Sequence, residues 1–142
     1  MKFKRRKGRQ ITRAKKHVVD GITFASGLEV YCYRALIKAK IPNVYEGKTF
    51  ELMEKFKFEG FLMDKGTTKG KKVFKHFVNL DAGFIIETKG LRTPEFRMRF
   101  KLFLKLLHDS DQQLDVYIPS NQKEVDATID LILSRGNLLK TK

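Results

Sequence analysis

A chain of 142 residues has room for one domain with a modest core, since single domains usually run about 100 to 200 residues. An apolar fraction of 42% with twelve phenylalanines excludes a disordered chain, and one cysteine excludes both an internal disulfide and a cysteine cluster for zinc. A formal charge of +14 calls for a polyanionic partner, while no apolar run reaches the roughly 18 residues that span a bilayer. The basic start is not followed by the apolar segment of a signal peptide, so the expectation is an intracellular protein with no membrane partner.

Met1 to about His17 holds nine Lys or Arg and no acid, without hydrophobic period. That predicts a basic flexible arm over 1–17 ahead of one folded domain over 18–142. From Ser26, Leu28, Tyr31, Cys32, Ala35, Leu36 and Ala39 recur at helical spacing until Ile41-Pro42. Ser26 is the expected N-cap, and Glu29 three residues later has the place of the acid in a capping box. Thr49 to Met63 reads as one strand, with room for a break. Asp64 to Lys72 reads as a Gly- and Lys-rich loop. Val73 to Leu80 and Phe84 to Lys89 read as strands joined by a tight turn at Asp81-Ala82-Gly83. Pro94 opens a second helix whose apolar face is Phe96, Phe100, Phe103, Leu104 and Leu107. Leu114 to Pro119 is a short strand, and Glu124 to Leu133 a last helix that stops near Gly136. This order predicts an α/β fold, a mixed β-sheet core flanked by helices.

The sharpest chemical signal is Phe84-Ile-Ile-Glu-Thr-Lys-Gly90. Alternation along a strand puts Glu87 and Lys89 on one face, so a carboxylate and an ammonium share a site. Phosphodiester hydrolysis uses a hard cation held by carboxylate oxygens, and a compact cation nearby can orient water or stabilise charge growing on the phosphate. Glu87 suits the first task and Lys89 the second. The bland alternative for so short a motif is an ion pair at the end of a buried strand.

Phe24-Ala-Ser-Gly-Leu-Glu29 at the first helix, Ile85-Ile-Glu-Thr-Lys-Gly90 closing a hairpin, a basic helix after it and the strand Asp115-Val-Tyr-Ile-Pro-Ser120 together resemble the phage endonuclease I family of Holliday-junction resolvases. The resemblance runs in order from about Phe24 to Ser120. It implies a restriction-endonuclease-like fold of the PD-(D/E)xK superfamily and a metal-dependent endonuclease that cuts branched DNA. Glu29, Glu87 and Lys89 fall on that family's active-site positions. The resemblance further implies Mg²⁺, with Mn²⁺ as a substitute, a homodimer because a junction needs two cuts, and the host cytoplasm if the chain is phage-encoded. Another nicking or restriction-type nuclease, or a catalytically impaired nucleic-acid-binding protein, are the alternatives.

One departure stands out. That family carries a Pro-Asp on the strand before the hairpin, and no Pro-Asp occurs in this chain. Asp81 is the nearby acid, but its place in the turn puts it roughly 10 Å from Glu87 at about 3.3 Å per residue. His76 is the other candidate: a two-residue turn at Ala82-Gly83 would pair it with Lys89, and its nitrogen would favour Mn²⁺ over Mg²⁺. Either residue, or neither, completes the metal set. Phosphate contacts are expected from Lys4, Arg5, Arg6, Lys7 and Arg9 in the arm, from Lys71, Lys72 and Lys75 before the hairpin, and from Arg92 and Arg97 beyond it.

Overall fold

The structure, a computed structural model, describes residues 14–60 and 77–135 in full and residues 67–68 and 71–74 for the backbone. It begins with an element that hydrophobic patterning did not single out. Asp20 and Gly21 take φ of 51° and 76°, the backbone of a two-residue hairpin turn, and pair β1 (His17–Val19) antiparallel with β2 (Ile22–Phe24). His17, placed by its charge context at the end of a flexible arm, is a strand residue opposite Phe24.

Helix α1 (Gly27–Lys38) starts as its sequence dictates. Ser26 is extended and its Oγ accepts the Glu29 N–H at 3.2 Å. Its end comes before Pro42. Lys40 adopts φ 56°, its N–H donates to Ile37 O and that of Ile41 to Leu36 O, both at 3.0 Å, which is a Schellman closure with lysine where glycine is usual.

Next come β3 (Val44–Tyr45), β4 (Thr49–Met53), β5 (Phe56–Lys57), β6 (Thr67–Thr68), β7 (Lys71–Phe74), β8 (Phe77–Asn79) and β9 (Phe84–Ile86). Helix α2 (Pro94–Asp109), β10 (Asp115–Tyr117) and helix α3 (Gln122–Ser134) complete the described chain. The four-stranded sheet has the order β10-β9-β8-β3, with β10 parallel to β9 and the other neighbours antiparallel. The architecture is therefore mixed α/β, with a mixed sheet and, among the described residues, three helices.

Alternation along β8 and β9 divides the core between the two faces of that sheet. Phe77, Phe84 and Ile86 join Phe24, Leu36, Val125 and Ile129 in a cluster under α1 and α3. Val78 and Ile85 join Phe50, Phe103 and Leu107 under α2. Fully burying one such side chain contributes roughly 1.5–3 kcal/mol. Thr93 caps α2 by accepting the Phe96 N–H at 3.1 Å, with Pro94 at the first turn. Leu104, expected on the buried face of α2, is 42% exposed because Phe103 and Leu107 carry the packing.

Several boundaries differ from the sequence reading, and the strand expected over Val73 to Leu80 is divided between β7, which pairs with β4, and β8, which lies in the four-stranded sheet. The strand expected over Thr49 to Met63 stops at Met53, where a register shift after Glu51 breaks the ladder, and resumes as β5. Part of the expected Asp64–Lys72 loop is strand, with Thr67 and Thr68 opposite Lys57 and Phe56, and Lys72 and Lys71 opposite Glu51 and Met53. Asn79 pairs with Phe84, so the hairpin loop is the four residues 80–83, with Leu80 added to the expected Asp81-Ala82-Gly83 turn. Asn79 itself causes this: its Oδ1 accepts the Ala82 N–H at 2.9 Å, and its Nδ2 donates to Pro42 O at 2.8 Å. Helix α3 starts at Gln122 because Asn121 accepts the Glu124 N–H at 2.9 Å.

Candidate active site

Glu29 is buried in the first turn of α1, with 3% of its surface exposed. Its carboxylate gathers three donors: Tyr45 OH at 2.6 Å and Ala25 N at 3.1 Å on Oε2, and Ser26 Oγ at 3.3 Å on Oε1. Donors of this kind meet the hydrogen-bonding capacity of a buried carboxylate. Glu29 in turn acts on its neighbours. Burial, then the Glu29 hydrogen bond, raises Tyr45 above the ordinary tyrosine range. Burial, then Glu29, pushes the Cys32 thiol up to about 12. Tyr45 is the residue that sequence reasoning missed here. It lies on β3 and its ring packs against Phe24 and Phe77 at 4.7 and 5.5 Å.

Glu87 and Lys89 follow β9 without leaving the sheet. Glu87 N donates to Tyr117 O at 2.9 Å and Lys89 N to Pro119 O at 3.0 Å, which extends the parallel ladder past β10. Strand alternation from Ile85, in the α2 cluster, puts Glu87 and Lys89 on the α2 side. The Lys89 Nζ accordingly sits 5.3 Å from the centroid of Phe96 in the first turns of α2. Phe96, read from sequence as core packing alone, also supports this ammonium. Glu87 is 8% exposed and Thr88 4%. A buried carboxylate and a lysine held by an aromatic face thus project from consecutive same-face positions at one end of the sheet.

The remaining candidates are spread apart. Asp81 is exposed in the 80–83 loop at the opposite end of β9 from Glu87, where it borders a cleft of about 540 Å³ with Pro42, Val44 and Leu80. The observed register also removes the two-residue turn that would pair His76 with Lys89. His76 and Lys75 lie outside the described residues, as do Lys4, Arg5, Arg6, Lys7 and Arg9. Lys71 and Lys72 are placed by backbone alone, on β7. The Arg92 guanidinium donates to Ile118 O at 2.9 Å and Ser120 Oγ at 3.1 Å, which ties the segment after β9 to the segment after β10. Arg97 is exposed on α2. Among the described residues no three His, Cys, Asp or Glu side chains come together as a metal ion would require. Glu87 can offer a carboxylate to a divalent cation, but the described donors do not complete a site.

Among the described residues no helix is long and apolar enough to cross a membrane. No curated protein and no solved structure matches the chain. One family model does, described as a protein of unknown function (DUF1064), and its match over residues 9–118 spans Glu29, Glu87, Lys89 and every strand from β1 to β10. This chain belongs to the DUF1064 family.

Proposed function

We propose that this protein is a metal-dependent DNA endonuclease of the PD-(D/E)xK kind, selective for branched DNA such as four-way junctions. The observation that supports the reading best is the placement of Glu87 and Lys89 on one face at the end of a sheet-bound strand, the lysine steadied by Phe96. In this reading Glu87 supplies an oxygen to Mg²⁺ or Mn²⁺. Lys89 stabilises negative charge on the phosphate under attack. The excess of 30 Lys and Arg over 16 acids draws in the nucleic-acid backbone. Action as a homodimer on two strands belongs to the same proposal.

The test compares a synthetic four-way junction with a linear duplex of the same sequence, each incubated with Mg²⁺, with Mn²⁺ or with chelator. Metal-dependent cutting of the junction in preference to the duplex is expected. A second reading, a nucleic-acid-binding protein without cleavage, draws on Glu29, whose carboxylate is already occupied by Tyr45, Ala25 and Ser26. Binding of both substrates with no cutting under either metal would select it.

A further inference from the structure

Strands β4 and β5 follow one another along the chain and pair antiparallel with β7 and β6, as two two-stranded sheets. The partner positions 49↔74, 50↔73 and 51↔72 are followed, after a one-residue shift, by 53↔71, 56↔68 and 57↔67, so the two short ladders share one antiparallel register and make up a ribbon among the described residues. From Thr49 to Lys57 it is about 26 Å long at roughly 3.3 Å per residue. Its root is packed: Phe50 is buried and meets Phe103 of α2 edge-on, centroids 4.9 Å apart. Beyond Leu52 it leaves the body, and every residue from Met53 to Gly60 is exposed. Three of those are large and apolar, with Met53 40%, Phe56 47% and Phe58 60% exposed. A two-stranded ribbon is marginal by itself, and exposed aromatic side chains along it mark a contact surface.

Charge decides what it contacts. Positions 48–75 hold eight lysines and four acids, so a second copy of the ribbon would bring like charge to like. The ribbon is also rooted on α2, the helix whose Phe96 supports Lys89, which places it on the same side of the sheet as the candidate site. A two-stranded ribbon fits the DNA major groove, which is about 12 Å wide, and aromatic side chains wedge against unstacked bases.

We propose that the exposed segment from Met53 to Gly60 is a DNA-engaging finger, Lys55 and Lys57 on phosphates and Phe58, with Phe56, against exposed bases at a branch point. This rests on the reading that DNA is the partner. The experiment uses the full chain and a fluorescent four-way junction carrying 2-aminopurine at the branch, titrated over a range of salt. Phe58→Ala is expected to lose about tenfold in affinity with the salt slope unchanged, because a stacked ring and no phosphate contact is removed. It should also lose the 2-aminopurine signal change, which Phe58→Trp restores. Lys55→Ala with Lys57→Ala should lower the slope of log affinity against log salt by about 1.8, close to 0.9 per phosphate contact. If the parent binds the junction and neither variant alters affinity or slope, the finger is overturned while the DNA reading stands. If the parent binds no DNA, both fall. Loss by Phe58→Ala of binding to phosphatidylserine vesicles, with DNA binding intact, would assign the ribbon to a lipid surface and overturn the inference.

Discussion

The Tyr45 hydroxyl donates to Glu29 Oε2 at 2.6 Å, joining the first turn of α1 to the edge strand of the sheet. Glu29 therefore serves the fold whatever else it does, because its carboxylate closes the start of α1 and anchors β3. Tyr45→Phe keeps the ring between Phe24 and Phe77 and removes one donor from a buried carboxylate, a loss of roughly 1–3 kcal/mol. Urea denaturation should show a lower midpoint at unchanged slope. An unshifted midpoint would mean that water replaces the hydroxyl without cost.

Glu87→Gln is expected to abolish junction cleavage while leaving junction binding within a few-fold, because it removes an oxygen ligand and none of the basic surface. Lys89→Ala should lower the cleavage rate by about a hundredfold or more, the scale of losing one charge-stabilising group. Chelation should match Glu87→Gln. Parental turnover by Glu87→Gln would make Glu87 a structural residue of the β9–β10 ladder.

Short-range chemistry made much of this fold legible. Ser26 with Glu29 marked the start of α1, Pro94 that of α2, and alternation across Phe84 to Lys89 the strand that carries the candidate site. The Asp20-Gly21 turn is equally local, since Asp-Gly between Val19 and Ile22 is a strong hairpin signal, but its strands are three residues each and too short to show an apolar period beside the basic arm. Other features depend on partners far away in sequence. Asn79 closes its own turn and reaches Pro42, which changes the hairpin register, and no local pattern announces that Tyr45 will meet Glu29 or Tyr31 will meet Asp126. Periodicity reports which face is apolar and says nothing of which polar group waits across the core.

Cys32 gives a pH prediction. Burial, then Glu29, pushes its thiol up to about 12 in the folded protein, whereas the unfolded chain ionises it near 9.0. A group whose folded pKa is raised contributes stability that is complete below the unfolded value and is lost as pH rises toward the folded one. Stability should therefore fall from about pH 9 upward, approaching 1.4 kcal/mol per pH unit for one proton. Cys32→Ala should remove that component from unfolding curves at pH 8.5, 9.5 and 10.5, leaving the tyrosines to act at higher pH. The native thiol should also resist iodoacetamide at pH 8 until denaturant is added. Rapid native alkylation would show that α1 opens readily.

On the proposed nuclease reading, two substitutions test whether His76 or Asp81 takes the place of the absent Pro-Asp aspartate. Asp81 is exposed at the far end of β9 from Glu87, too far to share one ion in a regular hairpin, so Asp81→Ala should leave Mg²⁺-supported cleavage unchanged within about twofold. If His76 is the ligand, His76→Asp replaces nitrogen by a charged oxygen and should raise the Mg²⁺ rate relative to Mn²⁺. The ratio of the two rates is the useful readout, because a general change in stability moves both together while a change of ligand moves one. Loss of cleavage in Asp81→Ala, with His76→Asp at the parental ratio, would move the ligand to the 80–83 loop and require the chain to bend back toward Glu87. Parental behaviour from both variants under both metals would remove His76 and Asp81 from the site, leaving Glu87 and Lys89 as the residues on which the cleavage reading has to stand.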